Sequence, residues 1–270
     1  LVVAERALGA DHPEVAVALN NLAVALAADR RLAEAEPLYR RSLAVAEQAL
    51  GRTAVPLSAT LDNLGALLLD EDRHAEAETV LRRSIAITEG GMGPDHTSLA
   101  PSLHLLAAVH AAAGQPDAAA PLFERALGLF ERAFGPGHTR LVPTLNRLAG
   151  VRQSLGDPSA AEALYRRAVA VADAAPDGAA SERTTALNNL AFLCHRRGQV
   201  EEAKHLFARA LAAIEASAGP RDPAMVTVLA NLALLYEETG DRSYAKTLHK
   251  RARDIAVQAG SARVSRAPSP

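Results

Sequence analysis

The 270-residue sequence has no tryptophan, one cysteine and two methionines, and aromatic residues make up only 3% of it. One cysteine excludes an internal disulfide and a thiolate metal cage. Lysine and arginine (29) nearly balance aspartate and glutamate (31), leaving a net charge of −2. No basic field therefore marks the chain for nucleic acid or an anionic membrane. No uncharged apolar run approaches the roughly 20 residues that a membrane-spanning helix needs. The chain opens on Leu1 without a signal-peptide layout, so a soluble, cytoplasmic piece of a longer protein is expected. What the sequence has in excess is alanine, 60 residues in all, the best intrinsic helix former and small enough for close helix approach. Arginine outnumbering lysine in such a chain also points to a GC-rich bacterial genome.

A period of 42 residues runs through the sequence. Leu19-Asn20-Asn21-Leu22-Ala23 is followed by Leu61-Asp62-Asn63-Leu64-Gly65 and Leu103-His104-Leu105-Leu106-Ala107. Leu145-Asn146-Arg147-Leu148-Ala149, Leu187-Asn188-Asn189-Leu190-Ala191 and Leu229-Ala230-Asn231-Leu232-Ala233 continue the series. A second alanine column runs Ala35, Ala77, Ala119, Ala161, Ala203, Ala245, with a large residue four positions later at Tyr39, Leu81, Phe123, Tyr165 and Phe207, then His249. Fixed periods of this length signal stacked repeats.

Apolar spacing of 3, 4 and 7 predicts two helices per unit, about Pro13–Asp29 and Leu32–Leu50 in the first. Gly114, Gly156, Gly198 and Gly240 punctuate the turn within a unit. Asp29-Arg30-Arg31 and Glu71-Asp72-Arg73 lack that glycine, so a less regular turn is expected there. Between units, a glycine stop (Gly9, Gly51, Gly93, Gly135, Gly219, with Asp177 in the fifth place) precedes an Asp or similar cap and often a proline, as in Asp11-His12-Pro13. Gly90-Gly91 is expected to end one helix near Glu89, and Pro176 another near Ala175.

These columns divide the chain into residues 1–9, a second helix whose partner would lie upstream, and six units at 10–51, 52–93, 94–135, 136–177, 178–219 and 220–258. Residues 259–270 are expected to be disordered. In the sixth unit His249 and Arg253 replace Phe207 and Leu211 of the fifth, as a polar terminal unit requires.

The order Leu-Asn-Asn-Leu-Ala, turn, Ala-Glu-Pro-Leu-Tyr, then Ser-Leu resembles the tetratricopeptide repeat. The 42-residue spacing and the Gly-x-Asp-His-Pro linker resemble its kinesin-light-chain-like subclass. The resemblance covers residues 10 to about 258 and implies an all-α, right-handed solenoid with first helices on the concave wall. His110 and Arg152 stand where that family prefers a packing aromatic, so looser packing is expected there. Such arrays bind many unrelated peptides.

The sharpest candidate site is a ladder of mid-helix asparagines, residues that lower helix propensity. Asn21, Asn63, Asn189 and Asn231 share one column; Asn20, Asn146 and Asn188 share the one before it, with Asp62 and His104. An amide both donates and accepts, so it can hold a peptide backbone. The family resemblance implies that role for the Asn21 column. The same groups could instead bridge neighbouring first helices. Arg147 and Leu105 interrupt the column, and Phe192 and Leu234 could wall an apolar pocket one turn on; Arg147 and Arg196 are the basic contributions foreseen. His12, His96 and His138 recur at the linker register, reading as caps and not as metal ligands. Cys194 beside His195 falls in a packing column, not a nucleophile dyad. Arg40-Arg41, Arg82-Arg83 and Arg166-Arg167 read as a solvated outer face, or else as partner or self-association contacts.

No catalytic constellation, metal site or cofactor loop is expected. The function expected is a protein–protein interaction module that takes a peptide or protein segment along the groove, as a monomer or weak homo-oligomer. The rival is a scaffold, oligomerisation or regulatory sensor segment of a larger signalling protein.

Overall fold

A computed structural model describes Arg6, residues 8–174 and residues 180–264, the last five of these by backbone alone. Asp177, Pro176, Ala175, most of residues 1–9 and residues 265–270 lie outside the described residues. Helices are α1 Pro13–Ala28, α2 Leu32–Leu50, α3 Leu57–Asp70, α4 His74–Met92, α5 Ala100–Ala112, α6 Pro116–Phe134, α7 Val142–Ser154, α8 Pro158–Asp173, α9 Ala180–Arg196, α10 Val200–Ala218, α11 Met225–Glu238 and α12 Arg242–Val264. No strand occurs among the described residues. The chain forms two compact units, Leu1–Pro136 and Gly137–Pro270. Within each, an odd-numbered helix packs on the even-numbered helix after it and on the next odd-numbered one. Each unit is thus an all-α solenoid of stacked helix pairs.

Two small-residue columns set the pair spacing. Ala23, Ala107, Ala149, Ala191 and Ala233 on first helices are fully buried, as are Ala35, Ala77, Ala119, Ala161, Ala203 and Ala245 on second helices. Gly65 takes the alanine's place in the second pair, where a Cβ would come within 2.6 Å of the Leu81 side chain. Phe123 and Phe207 are fully buried beside these crossings; burying such a side chain contributes about 1.5–3 kcal/mol.

Caps follow from counting back from the first helical proline. The residue before Pro13 is His12, not Asp11, and its Nδ1 accepts the Glu14 N–H at 3.2 Å. His96 and His138 accept in the same way from Ser98 and Arg140, at 3.2 and 3.1 Å. Asp222 does so for Ala224 at 2.8 Å. The expected aspartate cap therefore belongs to the sixth unit, and histidine replaces it in three others.

Three expectations are corrected. Asp29-Arg30-Arg31 and Glu71-Asp72-Arg73 form the same turn as the glycine-bearing units, with Arg30 and Asp72 forced to φ 62° and 58°. The Arg31 N–H reaches the Leu26 carbonyl at 2.9 Å, as the Gln115 N–H reaches His110. Backbone hydrogen bonding thus overrides side-chain preference. Helix α4 does not stop at Gly90-Gly91 but continues to Met92 and ends at Gly93, φ 91°. Gly91 has a packing reason: a Cβ there would lie 2.4 Å from Val55 Cγ2. Lastly, α12 runs on to Val264, into the segment expected to be unstructured, because nothing in Ser261-Ala262-Arg263 opposes helix.

A non-glycine residue in the left-handed region carries about 1–2 kcal/mol of strain. The exposed Arg30–Asp70 ion pair at 2.6 Å offsets only about 0–1 kcal/mol. Arg30→Gly should therefore stabilise the fold by about 1 kcal/mol. Thermal unfolding followed by circular dichroism checks this, and a lowered melting temperature would refute it. Losing the His96 cap through His96→Ala should destabilise by about 1 kcal/mol, and His96→Asp should restore it.

Candidate functional site

In the first unit the asparagine columns meet across α1 and α3. Asn63 Nδ2 donates to Asn20 Oδ1 at 3.1 Å, a diagonal step of 43 residues. Both side chains are half-buried, while Asn21 is exposed. His104 on α5 sets its ring edge-on to Phe123, with centroids 5.3 Å apart. Leu105, at the Asn63 register, is half-buried and joins the apolar core.

The second unit repeats the diagonal. Asn231 Nδ2 on α11 donates to Asn188 Oδ1 on α9 at 3.2 Å. Two turns on, His195 and Glu238 make a 2.6 Å contact across the same two helices, again 43 residues apart. Asn146 is buried; its Nδ2 donates to the Glu182 carbonyl at 3.1 Å, and its Oδ1 has no partner. Arg147 is exposed and Asn189 half-buried. Phe192 and Leu234, at one register on α9 and α11, are 40% and 46% exposed. A cleft of about 320 Å³ lies nearby, between Gln153, Gly156, Pro158, Leu193, Arg196 and Arg197.

The expected contact residues thus fall into three groups. Asn20, Asn63, Asn188 and Asn231 bridge neighbouring first helices, yet each keeps unused hydrogen-bonding capacity toward solvent. Asn21, Arg147 and Phe192 are exposed, and Asn189 is half-buried. Asp62, His104 and Asn146 are turned into the packing.

The second-helix arginines are not a merely solvated face. Arg83 reaches Glu47 at 2.6 Å, Arg125 reaches Glu89 at 2.7 Å, Arg209 reaches Asp173 at 2.6 Å, and Arg251 pairs with Glu215. Each spans 36 residues to the preceding second helix. Arg83 and Arg125 also donate to the linker carbonyls of Arg52 and Pro94. His110, expected to pack loosely, is buried and bonded to Gln115 Oε1 at 2.7 Å. Cys194 is buried, and burial pushes its thiol up to about 11, the condition of an inert packing group. Among the described residues no three His, Cys, Asp or Glu side chains converge as a metal site, and no helix is long and apolar enough to cross a membrane.

Residues 1–48, 56–132, 103–174 and 182–256 match the family model described as tetratricopeptide repeat. No curated protein matches the chain. Among solved structures, the Podosopora anserina kinesin light chain nearly identical TPR-like repeats are 23% identical, with a TM-score of 0.62 over 74% of this chain and 95% of that one. BtubC (BKLC) from P. vanneervenii is also 23% identical, with a TM-score of 0.68 over 96% of this chain and 93% of that one. Aspartyl phosphate phosphatase F from Bacillus subtilis is 16% identical, with a TM-score of 0.67 over 83% of this chain and 56% of that one. These likenesses establish the fold.

Asp62 has chemistry of its own. Ser102 Oγ lies 2.7 and 2.8 Å from its two oxygens. Ser84 Oγ lies 3.1 Å from Ser102 Oγ and 3.2 Å from the Ser58 carbonyl it donates to. Burial penalises the carboxylate more than these hydroxyls relieve it, raising the group to about 6 from its ordinary 3.8. A folded value above the unfolded one means that the folded state binds the proton more tightly. Stability from this group is then fully present below about pH 4 and is lost as the pH rises through 6. The whole effect is about 3 kcal/mol. The difference in unfolding free energy between wild type and Asp62→Asn should change by that order between pH 4 and pH 7.5, measured by urea unfolding. A pH-independent difference would refute it.

Proposed function

This chain belongs to the tetratricopeptide repeat family, and we propose that it works as a protein–protein interaction module that takes a peptide segment along its first-helix face. Such repeats are generally protein–protein interaction modules, and the reading assigns the chain no reaction of its own. The observation that carries it is the pair Phe192 and Leu234. Two large apolar side chains in register on adjacent helices stand 40% and 46% exposed, flanked by the Asn189 and Asn231 amides. Buried alone, such a pair would be core; exposed together beside polar groups, it has the makeup of a peptide pocket. Residual amide donors and acceptors hold a backbone whatever its sequence, and the apolar pair selects one side chain.

Peptides selected from a random display library against the whole chain should lose at least tenfold in affinity on Phe192→Ala and several-fold on Asn189→Ala, both with unchanged melting curves. Affinities unaffected by both substitutions would overturn the proposal. The rival, an oligomerising scaffold, predicts a stable oligomer by light scattering in which Phe192 is covered.

A further inference from the structure

Helix α12 carries a reversal of sign on the face through which the other second helices meet the following pair. On α2 that face presents Glu36, Tyr39, Leu43 and Glu47. Glu36 receives Arg73 at 2.8 Å and Glu47 receives Arg83 at 2.6 Å, while Tyr39 and Leu43 join the core shared with Leu57 and Leu61. On α8 the same register holds Glu162, Tyr165, Val169 and Asp173, with Glu162 paired to Arg197 and Asp173 to Arg209. On α10 it holds Lys204, Phe207, Leu211 and Glu215, which pairs with Arg251. The shared pattern is an apolar centre with a carboxylate at one edge or both.

At that register α12 places Lys246, His249, Arg253 and Val257, with Arg242 and Lys250 alongside. Steps of 3 and 4 residues keep these on one stripe. Four cations occupy twelve residues of helix, about 17 Å, in a chain whose net charge is −2. The nearby carboxylates are spoken for or turned aside. Glu237 meets His249 at 3.2 Å, Glu238 meets His195, and Glu215 holds Arg251. Asp241 accepts the Tyr244 N–H, and Asp254 lines a cleft of about 520 Å³ together with Lys250 and Arg251 but makes no ion pair among the described residues. Among the described residues no ion pair reaches Arg242, Lys246, Lys250 or Arg253.

We infer that this stripe is a second docking surface, for an acidic helical segment of a partner protein. The solenoid itself contains the complementary arrangement. Lys250 stands at the register of Arg40 and Arg166, and each of those is met by a carboxylate of the neighbouring helix, Glu76 at 3.4 Å and Glu202 at 2.6 Å. A helix laid beside α12 with glutamates at i, i+4 repeats that contact, and Val257, 62% exposed, gives it an apolar end. A bilayer helix needs a broad apolar face as well as cations, and this stripe offers one valine. Duplex recognition rests on a wider basic surface with groove-reaching side chains.

The probe is a fluorescein-labelled 20-residue peptide with glutamates at i, i+4 separated by leucine and alanine, titrated with the full chain by anisotropy at 50 mM salt. Binding should weaken at least tenfold when the glutamates become glutamines, and at least tenfold with Lys246→Glu/Arg253→Glu. The milder pair Lys246→Gln/Arg253→Gln should weaken binding and flatten its salt dependence. Phe192→Ala should leave it unchanged, which separates this surface from the first-helix face. No binding by the wild type, or binding indifferent to both double variants, overturns the inference. So does preferential capture of 30% phosphatidylserine vesicles or duplex DNA through the same residues.

Discussion

The close crossing of two alanine columns within each helix pair is the constraint from which the rest follows. Ala35 and its five counterparts are fully buried, and so are Ala23 and its alanine counterparts on the first helices. Methyl-sized contacts bring the two backbones near enough for the larger residue four positions on to close the gap. That fixes the tilt of each pair and therefore where its unburied stripes point. A single pair cannot cover those stripes, so pairs stack within each unit. Gly65 illustrates how tight the tolerance is: a branched leucine in place of an aromatic at position 81 requires the loss of even a methyl group opposite.

Stacking places each first helix beside the next, and the asparagines are partly used in bridging that contact. One N–H of Asn63 and the carbonyl of Asn20 are used between helices, as are those of Asn231 and Asn188. A primary amide has four hydrogen-bonding positions. Using one of them to orient the group leaves the others aimed outward at little entropic cost. Preorganised donors of this kind bind a backbone more tightly than freely rotating ones. Asn146 shows the limit: its Nδ2 is used within its own unit and its buried Oδ1 has no partner.

The fold was legible because period, helix spacing and glycine punctuation all point to one architecture. Helix α2 begins and ends where the apolar stripe places it, and α1 ends one residue earlier. The site was only half legible. A column of asparagines reads alike whether its members face a ligand or each other, because the diagonal step of 43 residues depends on the helix crossing and not on the period. Asp62 reads as one more polar rung, yet it turns inward. The signal that could have exposed it is the run of hydroxyls Thr60, Ser102 and Thr144 at one register, all buried, a polar column inside an apolar interface. Arg30 and Asp72 misled for a related reason: local preference disfavours their backbone, but six helix pairs share one turn geometry, and the stacking dictates it.

Charge plays a different part from packing. The arginine–carboxylate pairs between second helices are largely solvent-exposed, and such pairs are worth about 0–1 kcal/mol each, less than one buried phenylalanine. They do not hold the solenoid together. What they do is specify register, since a slip of one helical turn would set arginine against arginine along the stack, and like charges penalise that arrangement. A ladder of this kind has polarity. Toward the following second helix, α2 and α8 offer mainly carboxylates, Glu36 and Glu47 or Glu162 and Asp173, with one arginine each, Arg40 or Arg166. On α12 that face carries cations without the carboxylates and with Val257 as its one apolar residue, so it departs from the pattern. Its complement must be a surface that brings carboxylates of its own, so the register code that aligns the repeats also selects the chemistry of what can lie against the basic face.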